Sequence, residues 1–135
     1  AEPAMFATPG VNIGLFCSTP AVAISRAISR KHAMEMLLSG DMFSAEDAYR
    51  FGLINKFVSG DDLDASVWET AKSIASRSSL TISMGKEGFY RQLDMDPEDA
   101  YSYTSDVMAR NMTSPDAQEG VDAFLQKRKP EWKGR

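Results

Sequence analysis

The side chains able to do chemistry are few and scattered. His32 is the only histidine and stands beside Lys31 and Arg30 with no placed partner, so it reads as a solvated surface residue. Cys17 is the only cysteine; it excludes an intrachain disulfide, suits a reducing compartment and reads as a small buried hydrophobe. Asp61, Asp62 and Asp64 sit where a helix should begin, as do Glu98 and Asp99, and the helix dipole is sufficient reason for them. Glu35 and Glu46 read as surface charges. No phosphate-binding glycine loop, dinucleotide fingerprint, paired-histidine zinc motif or cysteine pair is present, and no metal site is expected. The remaining charged feature is a basic tail, Lys127-Arg128-Lys129, closed by Pro130. Its charges suit the C-terminal dipole of the helix that it follows.

These residues need elements to hold them. Ala4–Ala7 reads as a short strand, Thr8-Pro9-Gly10 as a turn, and Val11–Phe16 as buried loop or strand. Ser18-Thr19-Pro20 should open a helix reaching Ile28, with a hydroxyl cap. A second helix should run from Arg30, with Met34, Leu37 and Leu38 apolar, and end at Gly40. Ser44-Ala45-Glu46-Asp47 has the form of a capping box with Asp in place of Glu, leading a short helix to Gly52; Leu53–Val58 then alternates like a strand. Helices are predicted over 61–76, with Val67, Ala71 and Ile74 on the apolar face, and over 80–93. Two more should open at Pro97, with Tyr101, Thr104, Val107 and Met108 in a stripe, and at Pro115, with Ala117, Val121, Phe124 and Leu125.

The bulk numbers narrow the class. At 135 residues, 43% hydrophobic and 25% charged, with net charge −4 and pI near 5.0, the chain fits one ordinary globular domain. An acidic balance argues against nucleic acid as partner, and no apolar run reaches membrane-spanning length, so neither nucleic acid nor membrane is expected. The first residue is Ala1 rather than Met, so the sequence is expected to begin inside a longer protein.

Three stretches carry a family resemblance. Ala33-Met34-Glu35-Met36-Leu37-Leu38-Ser39-Gly40-Asp41 and Ala45-Glu46-Asp47-Ala48-Tyr49-Arg50-Phe51-Gly52-Leu53-Ile54 are similar to consecutive segments of the enoyl-CoA hydratase/isomerase (crotonase) family. Glu119-Gly120-Val121-Asp122-Ala123-Phe124-Leu125-Gln126-Lys127-Arg128-Lys129-Pro130 resembles its C-terminal signature. Order and spacing agree along essentially the whole chain.

The resemblance implies an α/β fold: the C-terminal part of a ββα spiral over 1–60, then a helical trimerisation region over 61–135, mostly helical in this chain. It implies acyl-CoA as ligand, no cofactor beyond the coenzyme A thioester as substrate, and an enolate-like intermediate held by backbone N–H groups from earlier sequence. The implied partners are the N-terminal half and further copies in a homotrimer or hexamer. The implied acyl-CoA-binding residues are Pro9, Gly10, Gly14, Met108, Phe124 and Lys127, with no catalytic residue in this chain. Hydratases of the family carry a glutamate in Pro-Glu-x-x-x-Gly; the matching residues are Pro9-Gly10-Val11-Asn12-Ile13-Gly14, with Gly10 in the glutamate's place. Isomerisation or another single-base reaction is then expected in preference to hydration, with a non-catalytic acyl-CoA-binding or oligomerisation protein as the alternative, and a helical interaction domain unrelated to CoA as a third reading. The expected compartment is the cytoplasm, with the mitochondrial matrix as alternative.

Overall fold

The computed structural model describes all residues, 1–135, and divides into two compact units, Ala1–Trp68 and Glu69–Arg135. In the first unit a two-residue strand β1 (Met5–Phe6) pairs antiparallel with β2 (Phe43–Ser44), Met5 opposite Ser44 and Phe6 opposite Phe43. Between them lie a 3-10 turn over Pro9–Ile13 and helices α1 (Ser18–Ala27) and α2 (Arg30–Ser39); α3 (Ala45–Phe51) follows β2 directly.

Local chemistry sets these boundaries. Ser29 caps α2 by accepting from the His32 N–H, and Gly40 ends it in the left-handed conformation. The Ser44–Asp47 capping box forms in both directions, and Gly52 closes α3. Ala33, Met36 and Leu37, at i, i+3 and i+4, are the buried face of α2. Met36 packs with Ile28, Ala33 and Phe51 in a small core, against which Phe6, Ile24, Phe43 and Leu53 lie.

Four local expectations need correction. Leu53–Val58 is not a strand; the second strand is Phe43–Ser44, which pairs with β1 while Val58 gives only its carbonyl to the Glu2 N–H. Val11–Phe16 is a 3-10 turn and its exit, not buried: Ile13 is 76% exposed, and Leu15 and Phe16 are exposed too. α1 has no hydroxyl cap, because Cys17 occupies the cap position and the Ser18 hydroxyl turns back to the Phe16 carbonyl. Met34 and Leu38 face outward, since the core-facing arc of α2 is centred one residue away, on Ala33 and Leu37.

Helix α4 (Leu63–Ala75) joins the first unit to the second, which holds α5 (Ser79–Gln92), α6 (Pro97–Met112) and α7 (Pro115–Leu125). Ser78, Asp96 and Ser114 cap the three, each accepting the N–H three residues on, and Pro97 and Pro115 open α6 and α7 as the sequence predicts. α5 packs on α6 where buried Gly88 faces Val107. The apolar stripes read as core are largely uncovered: Val67 and Ile74 on α4, Tyr101 and Met108 on α6, and Val121, Phe124 and Leu125 on α7 are all exposed. No helix is long and apolar enough to cross a membrane.

The second unit is fastened at its end by two carboxylates. Asp116, 1% exposed, accepts from the Ser78 hydroxyl (2.6 Å) and from the Lys133 and Gly134 backbone N–H groups (2.8 and 3.0 Å). Glu119 takes a two-pronged grip from the Arg128 guanidinium and accepts the Glu131 N–H at 2.8 Å. The Trp132 indole donates to the Ser76 carbonyl at 2.8 Å, and its ring lies over Gly120.

Candidate functional site

Thr8 is buried and its hydroxyl donates to the Met36 carbonyl at 2.6 Å; the Asn12 amide donates to the Gly40 carbonyl at 3.2 Å. These two bonds tie the Pro9–Ile13 turn to α2, although neither residue was among those expected to bind ligand. A hydroxyl just before Pro-Gly is a weak local signal, and the carbonyls it serves lie 28 residues away.

Within the turn, Gly10 and Gly14 are required for different reasons. Gly14 adopts φ +77 with open space around it, so its need is conformational. Gly10 has an ordinary φ, but a Cβ there would stand 2.6 Å from the Leu15 carbonyl oxygen and 2.8 Å from the Cys17 sulfur. The Leu15 N–H donates to the Gly10 carbonyl at 2.9 Å, which holds that carbonyl close. Position 10 is therefore closed to any side chain in this conformation. Cys17, half-buried, is neither core nor surface; it packs against that closed position.

An apolar groove of about 490 Å³ lies beside the turn, lined among others by Phe6, Pro9, Cys17, Ile24, Met36 and Leu53. Of its lining residues only Cys17 is titratable, and the Thr8 hydroxyl is committed to Met36. The groove can hold an apolar chain, and no carboxylate or imidazole of this chain lines it.

The other expected ligand residues lie in the second unit. Met108 lines a groove of about 410 Å³ between α5 and α6, with Met84, Phe89 and Val107. Phe124 is 82% exposed on α7. Lys127 follows the end of α7 with φ 55, alone among non-glycine residues in having positive φ. The turn is a Schellman motif: Lys127 N–H donates to the Phe124 carbonyl (3.2 Å) and Arg128 N–H to the Ala123 carbonyl (3.0 Å). The Lys127 ammonium makes no hydrogen bond or ion pair.

Three carboxylates are shifted, all downward. Hydrogen bonds from Arg128 hold Glu119 at about 2, helped by the Glu131 N–H. The Ser78 hydroxyl first, then the Lys133 N–H, lower Asp116; the Ser44 hydroxyl and N–H lower Asp47. All three are anions that fasten structure, not acids poised for proton transfer. His32 is not simply solvated: its ring stacks on Phe51 at 4.1 Å, and Nδ1 lies 3.4 Å from Glu35.

This mostly helical fold with its small two-stranded sheet matches the enoyl-CoA hydratase/isomerase family, whose model covers residues 1–135. The chain belongs to that family. It is similar to the rat enoyl-CoA hydratase domain-containing protein 3, mitochondrial (52% identical over 127 residues, 94% of this chain and 42% of the relative). It also resembles carnitinyl-CoA dehydratase of Salmonella typhi (33% over 140 residues, 100% of this chain and 54% of the relative). The crystal structure of human enoyl-CoA hydratase domain-containing protein 3 superposes with TM-score 0.92 at 50% identity, covering 97% of this chain and 52% of that one. An enoyl-CoA hydratase from Mycobacterium smegmatis gives 0.93 at 47%, covering 97% and 51%. The chain thus spans about half the length of the relatives it matches.

Proposed function

We propose that this chain forms the C-terminal half of an acyl-CoA-binding crotonase whose oxyanion-holding backbone N–H groups come from an N-terminal half. The apolar groove beside Pro9 takes part of the acyl chain, and Lys127 meets a phosphate of the CoA nucleotide bound at a neighbouring copy. Gly10 marks the turn nearest the reacting atoms, Gly14 gives it its shape, and Met108 and Phe124 offer apolar surface to acyl-CoA. The thioester is substrate, and no further cofactor takes part.

One observation carries the reading of the chemistry: the space a side chain would need at position 10 is filled by the Leu15 carbonyl and the Cys17 sulfur. A two-carboxylate hydration needs an acid there, and glycine cannot supply or accept a proton. The chemistry that remains is enolate formation by a single base, as in isomerisation of a fatty acyl thioester. A non-catalytic acyl-CoA-binding protein is the second reading, favoured by a groove whose only titratable lining group is Cys17. The exposed apolar stripes of α4, α6 and α7 support assembly into trimers or hexamers, checked by sedimentation. The vertebrate relatives' names carry "mitochondrial", which favours the matrix over the cytoplasm.

Incubating the protein expressed from its full reading frame with a 3-enoyl-CoA in deuterium oxide tests this. Single-base enolisation incorporates deuterium at the α-carbon. Binding without exchange selects the non-catalytic reading, and absence of binding overturns both.

A further inference from the structure

We propose that Arg128 and Glu119 are positioning residues for Lys127, holding its backbone in a disfavoured conformation so that the ammonium is presented outward to a phosphate of the CoA nucleotide. The proposal rests on the assignment of Lys127 to that phosphate.

The geometry at the end of α7 is over-determined around one unbonded side chain. Lysine in the left-handed region is disfavoured by contact between Cβ and the following carbonyl oxygen, and glycine is the usual residue at this place in a Schellman turn. Such conformations persist where the surroundings fix them. Here they do: the Arg128 guanidinium bonds Glu119 through both carboxylate oxygens (2.5 and 2.9 Å), the Gln126 side chain at 2.9 Å and the Lys129 carbonyl at 3.2 Å. One planar cation thereby ties the residues on both sides of Lys127 to the body of α7. Glu119 is anchored in turn by the Glu131 N–H at 2.8 Å. At the centre of this clamp, the Lys127 side chain touches no partner and is exposed. A helix cap needing only a left-handed residue would be met by glycine, so the clamp keeps a cation where a neutral residue would be easier.

Lysine in place of Arg128 keeps the charge but loses the fork that reaches Glu119, Gln126 and Lys129 together, so R128K separates positioning from charge.

The test compares Lys127→Ala, Arg128→Lys and Glu119→Gln, and each of the last two combined with Lys127→Ala, in the protein expressed from its full reading frame. Binding is measured for an acyl-CoA and for the matching acyl-pantetheine, which lacks the nucleotide. Lys127→Ala should weaken acyl-CoA binding by roughly 2–5-fold, the scale of a solvated ion contact, and leave acyl-pantetheine unchanged. Arg128→Lys and Glu119→Gln should weaken acyl-CoA only, and their effects should vanish in the Lys127→Ala background. Losses shared by both ligands, or persisting without Lys127, would make the clamp merely structural and overturn the proposal. An unchanged acyl-CoA affinity in Lys127→Ala would instead remove the phosphate assignment itself, and the proposal with it. Glu119→Gln keeps shape and one hydrogen-bond acceptor, so the test stands if Arg128→Lys fails to fold.

Discussion

Replacing Gly10 by alanine adds one methyl group where the structure leaves no room. Its Cβ would sit 2.6 Å from the Leu15 carbonyl oxygen and 2.8 Å from the Cys17 sulfur, both well inside van der Waals contact. The first neighbour is backbone, held by its own Leu15 N–H bond to the Gly10 carbonyl, so it cannot swing away as a side-chain end would. Overpacking of this kind costs about 1–3 kcal/mol. Against it stands the ~0.4–1 kcal/mol that Gly→Ala contributes by restricting the unfolded chain where the backbone conformation is acceptable, as it is here. The net is a destabilisation of about 1–2 kcal/mol. Cys17→Ala in the same chain should recover only part of it, because the backbone contact remains. Urea unfolding, followed by far-UV circular dichroism, reads the difference. A neutral or stabilised Gly10→Ala protein would show that position 10 has room, and the steric argument against a carboxylate there would fail.

Three other outcomes follow from the second unit. Asp116→Ala removes the acceptor shared by Ser78, Lys133 and Gly134, so the Lys133 and Gly134 amides should lose protection in hydrogen exchange while β1 and β2 keep theirs. Because Glu119 is held at about 2 against an ordinary 4.5, the unfolded state binds more protons between those values; its contribution is complete above about 4.5 and is lost as pH falls toward about 2. Asp116 and Asp47 act in the same direction, and Glu119→Gln should flatten the acid limb of a stability–pH profile. Lys127→Gly relieves the left-handed conformation and should raise stability by about 1 kcal/mol in thermal unfolding while weakening acyl-CoA binding.

The elements with local signals were legible in the sequence: the Ser44–Asp47 box, the glycine ends at Gly40 and Gly52, and the prolines opening α6 and α7 each act within a few residues. Leu53–Val58 has a strand-like pattern, but the pairing partner of β1 is decided by which segment tertiary structure brings alongside, and that is Phe43–Ser44. The uncovered stripes of α4, α6 and α7 show the limit of periodicity, which finds an apolar face without saying what covers it. In the candidate site, the type of residue at position 10 could be read, while the reason it must be glycine depends on Leu15 and Cys17 folding back. Arg128 and Glu119 stand in the quoted signature, yet nothing local tells that they grip each other; Asp116 looks like an ordinary first-turn acid until the tail returns to it.

Crotonyl-CoA offered to the protein expressed from its full reading frame tests the central claim most directly, with binding followed by calorimetry and hydration by loss of the enoyl-thioester absorbance. Saturable binding with no hydration above a no-protein control is expected, because position 10 holds no acid or base and has no space for one. Hydration measurably above that control would contradict the claim.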